Sequence, residues 1–162
     1  MAALSDYLES GLLHHVFRGQ SFPKPDNICI ALTSGTPLDS HTGENIPEMA
    51  SGLADGVTST NYSRVHLGDP ASVGNDRWSY SAADNEAGVA PEFASGIIRN
   101  SGQIVFNTAL TDWGWVSGIA ITDHPTVGSG NLLMHAELTN PRLIYTGDNV
   151  KFDVDTLEIS FK

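Results

Sequence analysis

Apolar residues recur at every fourth position near the start of the chain, at Leu4, Leu8, Leu12 and Val16, with Leu13 and Phe17 widening the stripe. That spacing predicts a helix over about 4–18 whose apolar face turns toward a core. Ser5 or Asp6 is placed to cap its start, with Glu9 at the third position after Asp6, and Gly19 is placed to end it. Pro23 and Pro25 then forbid regular structure. Beyond them Asn27-Ile28-Cys29-Ile30-Ala31-Leu32-Thr33 alternates large and small apolar residues and stops at Ser34-Gly35, the pattern of a strand buried on both faces.

The last third has a shorter rhythm. Gln103 to Phe106, Trp115 to Ile121, Leu132 to Leu138 and Val150 to Val154 are apolar runs of four to seven residues, each bounded by Gly, Asn, Asp or Pro. No helical pattern separates them, so neighbouring strands should pair antiparallel. Near the end the apolar phase shifts from positions 150, 152 and 154 to 157, 159 and 161, which predicts a bulge or tight turn at Asp155-Thr156. The fold class expected is mainly β: an antiparallel, jelly-roll-like β-sandwich with one N-terminal α-helix packed on it through Leu8, Leu12 and Val16. On that packing, Leu12→Asp would bury an unpaired charge and unfold the protein.

Two long polar connections interrupt the pattern, at about 34–60 and 68–95, with a short strand at Tyr62–Leu67 between them. The first holds Asp39, Glu44, Glu48 and Asp55 and no Lys or Arg. Connections of that length in a small domain are functional or mobile. The second contains Arg77, Trp78 and Tyr80, the residue types that anchor interfaces, in an otherwise polar stretch. Trp113 and Trp115, flanking Gly114, add a further candidate surface for stacking a sugar or packing a partner. The five residues Arg77, Trp78, Tyr80, Trp113 and Trp115 are therefore the candidate partner interface, against the alternative that the indoles fill the core.

With 162 residues the chain is expected to form one domain, 1–162. Nineteen acidic against eight basic side chains give a net charge of -11, which disfavours a nucleic-acid partner. Cys29 is the single cysteine, so no intrachain disulfide and no Cys-rich zinc site can form, and its apolar run marks it as a core residue. No run reaches the length of a membrane span and no basic leader precedes an apolar stretch, so the expectation is synthesis in the cytoplasm with no membrane partner.

The sequence carries few residue patterns with catalytic or metal-binding chemistry. The Gly-x-Ser-x-Gly elbow is absent, and Ser129 between Gly128 and Gly130 reads as a turn. His14 and His15 are adjacent and point about 100° apart on a helix, unsuited to sharing a metal. Asp153, Asp155 and Glu158 are dense enough to raise calcium, yet lack the spacing of an EF-hand loop. The expectation is no enzyme, no catalytic residue, no cofactor and no metal.

Several segments together resemble a family of tailed-phage virion proteins known as tail fibre proteins and, in some phages, as capsid cement or decoration proteins. They are Leu4-Ser5-Asp6-Tyr7-Leu8-Glu9, Leu12-Leu13-His14-His15-Val16-Phe17-Arg18-Gly19, Ala31-Leu32-Thr33-Ser34-Gly35-Thr36-Pro37 and Asn61-Tyr62-Ser63-Arg64-Val65. Asn100 to Phe106, Asp112-Trp113-Gly114, Ile119 to Asp123, Gly130 to Leu138 and Gly147-Asp148 continue the resemblance. It implies a compact β-sandwich that acts without chemistry in many copies on a virion. A cement role on the capsid surface is the first expectation, because such a protein needs only a few sticky points presented many times. Its partners would be the major capsid protein or other virion proteins, and its own copies as a homotrimer. A tail fibre or other tail component is the alternative, and a carbohydrate-binding module a further one.

Overall fold

The computed structural model describes residues 3–50, 59–70, 78–79 and 97–160. The chain runs β1 (Ala3–Leu4), α1 (Asp6–Arg18), β2 (Cys29–Thr33), β3 (Val65–His66), β4 (Trp78–Ser79), β5 (Ile97–Asn100), β6 (Ile104–Val105), β7 (Gly114–Thr122), β8 (Leu132–Ile144), β9 (Lys151–Phe152) and β10 (Glu158–Ser160). The fold is mainly β with one helix, and its strand pairs are antiparallel. Five strands form a sheet in the order β1-β8-β7-β2-β3, and smaller sheets run β10-β5-β4 and β6-β9. The main cluster of buried side chains draws on the five-stranded sheet and on β6, and Trp78 and Ile159 of the β10-β5-β4 sheet pack against it, an arrangement consistent with the expected sandwich.

All five residues of β2 are buried, as its apolar run predicts. Ile30 and Leu32 join the main cluster with Ile119, Ile121 and Leu133, while Ala31 and Ala120 meet Ile46 and Leu132 in a second one. Ile46 belongs to the first polar connection, so part of that loop is a lid over the second face of the sheet. Its entry point needs a glycine: a Cβ on Gly43 would lie 2.4 Å from the Ser129 carbonyl oxygen.

β8 continues through Pro141, beyond the Leu138 limit that the sequence pattern predicts. The ladder with β7 shifts between Val116–Arg142 and Gly118–Glu137, and Pro141 falls in that irregular stretch, where its missing N–H costs no ladder hydrogen bond. The expected turn at Asp155-Thr156 is present, with Asp155 in the left-handed region at φ 62°. The strand expected at Tyr62–Leu67 is regular only at Val65–His66.

The expected packing of the helix is corrected. Ser5, not Asp6, is the cap: its Oγ accepts the Leu8 N–H and donates to the Leu132 carbonyl, and Gly19 ends the helix at φ 63°. Leu8 touches the main cluster, yet no residue of α1 is buried. Leu12, Leu13, Val16 and Phe17 are exposed. The periodicity marks an apolar face correctly, but among the described residues the sheets meet the helix at its first turn, and Leu12, Leu13, Val16 and Phe17 stay exposed.

Candidate functional site

The described residues bring the candidate interface residues to different environments. Arg77 and Tyr80 lie outside the described residues. Trp78 pairs across from Asn100 in β4–β5 and packs, partly buried, against the main cluster. Trp113 turns inward: its Nε1–H donates to the Thr60 carbonyl at 2.6 Å and its indole meets the Tyr62 ring edge-on, centroids 5.4 Å apart. Trp115 is 59% exposed and stands opposite Leu143. Gly114 between them has φ 90°, which breaks the two-residue alternation that would put both indoles on one side. The exposed aromatic nearest in register to Trp115 is instead Tyr145, diagonal to it across the ladder.

An open groove of about 690 Å³ is lined by Leu138, Arg142, Ile144, Val150, Lys151 and Phe152 among others. It lies where the second half of β8 faces β9.

The most elaborate polar cluster is buried, at Arg64. Its Nη2 is 2.7 Å from Glu48 Oε2, and Nε donates to Glu48 Oε1 at 2.9 Å. Nη1 donates to the His124 and Ser129 carbonyls at 2.7 and 2.8 Å, and Nη2 to the Gly43 carbonyl at 2.7 Å. Tyr62 Oη donates to Glu48 Oε1 at 2.9 Å. Burial, reinforced by the Glu48 charge, pushes the Tyr62 phenol strongly up, so it stays a donor. With every guanidinium nitrogen engaged, this cluster fastens the first polar connection to the β7–β8 turn and leaves no donor for a ligand.

The C-terminal carboxylates are used separately. Gln103 Nε2–H donates to Asp153 Oδ1 at 2.6 Å, and Arg99 pairs with Glu158 at 2.5 Å. Among the described residues no group of three His, Cys, Asp or Glu side chains is placed to hold a metal. Cys29 is buried in β2, and desolvation pushes its thiol up to about 11, against a reactive role.

Among the described residues, the most exposed of the large apolar side chains are on α1, where Val16 is 67% and Phe17 78% exposed. The described residues thus present exposed apolar and aromatic side chains on α1 and at Trp115 and Tyr145. A family model described as podophage GP4 fiber I protein gp80 matches residues 3–160. The chain belongs to this family. No curated protein matches it.

Membership in the fiber I family makes the chain a structural protein of a tailed-phage virion. The family match spans the helix, both polar connections and the closing strands alike. Sequence reasoning missed the exposed half of α1, although two signals were present. Its apolar residues wrap nearly half the helix circumference, more than one sheet contact uses, and residues 10–25 contain no carboxylate in a chain with 19 of them.

Proposed function

We propose that this protein is a packing module of the fibre apparatus on the tail of a short-tailed phage, acting structurally and without catalysis. The observation that carries the reading is the match to the fiber I family over residues 3–160. The surfaces support it: exposed apolar and aromatic side chains on α1 and at Trp115–Tyr145, with the buried Arg64 cluster stiffening the scaffold that presents them. Its partners are other virion proteins and further copies of itself.

A cement role on the capsid is the second reading, favoured by the compact β body, and its partner would be the major capsid protein. Copy number separates the two. Quantitative mass spectrometry of purified virions should give a few to tens of copies for a tail component, and immunogold label should fall at the tail. Hundreds of copies with label over the head would replace the fibre reading with the cement one.

A further inference from the structure

The turn at Tyr145–Asp148 joins β8 to β9, yet the two strands do not pair: the second half of β8 runs along β7 and β9 along β6, and no backbone hydrogen bond joins them. They diverge from the turn and enclose the groove of about 690 Å³. A groove over the face of a sheet is lined by alternate residues. Here residues 138–144, Pro141 apart, and all of 148–152 line it, so the backbone edges of both segments border it. β1 meets β8 only at Met134 and His135, and β9 has β6 on one side alone, so among the described residues no strand covers either edge. The floor is apolar: Val116 and Ile144 are buried, and Leu138, Val150 and Phe152 pack against the main cluster. Arg142, opposite Val116 in the ladder, is exposed on the groove side. Among the described residues its guanidinium has no ion-pair or hydrogen-bond partner.

We infer that this groove takes an extended segment of another protein, seated as a strand between the two edges, with an apolar side chain on the floor and a carboxylate at Arg142. Exposed sheet edges hold extended peptides through main-chain hydrogen bonds, and sites for alternate side chains give the selectivity. Charge chooses those side chains: the guanidinium of Arg142, with Lys151 on the opposite rim, favours a carboxylate over an ammonium. It also argues against a second copy of this chain. Two copies meeting groove to groove would set Arg142 and Lys151 against their own counterparts. An acidic segment of one copy in the groove of the next would build a ring or an open filament, which the net charge of -11 on each copy opposes. Pro141 lacks an N–H and sits in the irregular stretch of β8, so the edge admits a short segment and resists sheet-to-sheet stacking. The inference goes beyond the proposed function and holds for a tail or a head location alike.

The probe is a capped peptide of three Val-Glu repeats, with a peptide of three Val-Lys repeats as its counterpart. In heteronuclear NMR of the full chain the Val-Glu peptide should bind with a dissociation constant at or below about 1 mM and shift the amide signals of residues 138–144 and 148–152 together. The Val-Lys peptide should bind at least about tenfold more weakly, and added salt should weaken the Val-Glu complex. Arg142→Gln should lower the affinity for Val-Glu about fivefold or more with an unchanged circular dichroism spectrum, and Arg142→Glu should reverse the preference between the two peptides. No binding at millimolar peptide, shifts confined to other parts of the chain, equal affinity for both peptides, or a preference that survives Arg142→Glu would each overturn the inference. So would self-association of the full chain in sedimentation velocity that Arg142→Glu abolishes, because the occupant would then be a second copy.

Discussion

Arg64 and Glu48 form an ion pair of 2.7 Å with side chains 0% and 5% exposed. Taking both charges out of water is costly, and the pair is tolerated because three carbonyls, Thr122 Oγ1 and the Tyr62 hydroxyl complete its hydrogen bonding. Arg64→Ala would leave Glu48 buried and unmatched, with an expected loss of about 3–5 kcal/mol in urea unfolding. Arg64→Met with Glu48→Leu removes both charges together and should cost less than Arg64→Ala alone. A single variant within about 1 kcal/mol of wild type would show that the cluster does not hold the loop.

Leu12 separates helix periodicity from helix burial. Because it is more than a third exposed, Leu12→Asp should leave the unfolding free energy of the dilute protein within about 1 kcal/mol of wild type. Leu133→Ala, in the main cluster, should cost about 2–5 kcal/mol. Unfolding of the Leu12→Asp protein would mean that α1 lies flat on the sheet after all.

Local pattern carried the strands that local pattern can specify. Cys29–Thr33 and Gly114–Thr122 are apolar runs with turn residues at their ends, and their pairing follows once both are strands. What was not legible depends on distant partners. Ile97–Asn100 is a strand because the C-terminal Glu158–Ser160 lies beside it, about sixty residues away. Nothing near Arg64 in sequence identifies Glu48 or the Ser129 carbonyl as its partners. Trp113 and Trp115 look equivalent until the positive φ of Gly114 turns one indole inward.

The Cys29 thiol should report on opening of the central sheet. Its folded pKa is raised to about 11 by burial, so its contribution to stability is full below the ordinary thiol pKa and declines as pH rises through it toward the folded value. At about pH 8 an aromatic disulfide reagent should react with the native protein only at the rate of unfolding, and at once in denaturant. Rapid reaction of the native protein would contradict the burial of β2.

Acid should loosen the C-terminal turns. The Thr146 N–H and hydroxyl, donating to Asp112 Oδ1 at 2.8 and 2.9 Å, hold that carboxyl below its usual pKa, and the Gln103 amide with the Lys151 charge does the same for Asp153. A depressed folded pKa gives stability that is present above the unfolded value and lost as pH falls through the folded one, here below about pH 4. Calorimetry should show the melting temperature dropping between about pH 5 and 3, with a smaller drop for Asp112→Asn and Asp153→Asn. An undiminished drop in both variants would assign the acid response to other carboxylates.

The two indoles flanking Gly114 should behave as opposites. Trp113→Phe removes the donor to the Thr60 carbonyl and should destabilise by about 1–3 kcal/mol, whereas Trp115→Ala, on an exposed strand position, should stay within about 0.5 kcal/mol of wild type. Iodide should quench the Trp115 emission first, a difference that a Trp115→Phe variant assigns directly. If Trp115 is a packing contact in the fibre, Trp115→Ala will compete poorly with wild-type protein for incorporation when both are supplied during assembly. Equal incorporation would remove Trp115 from the interface and leave α1 as the surface to pursue.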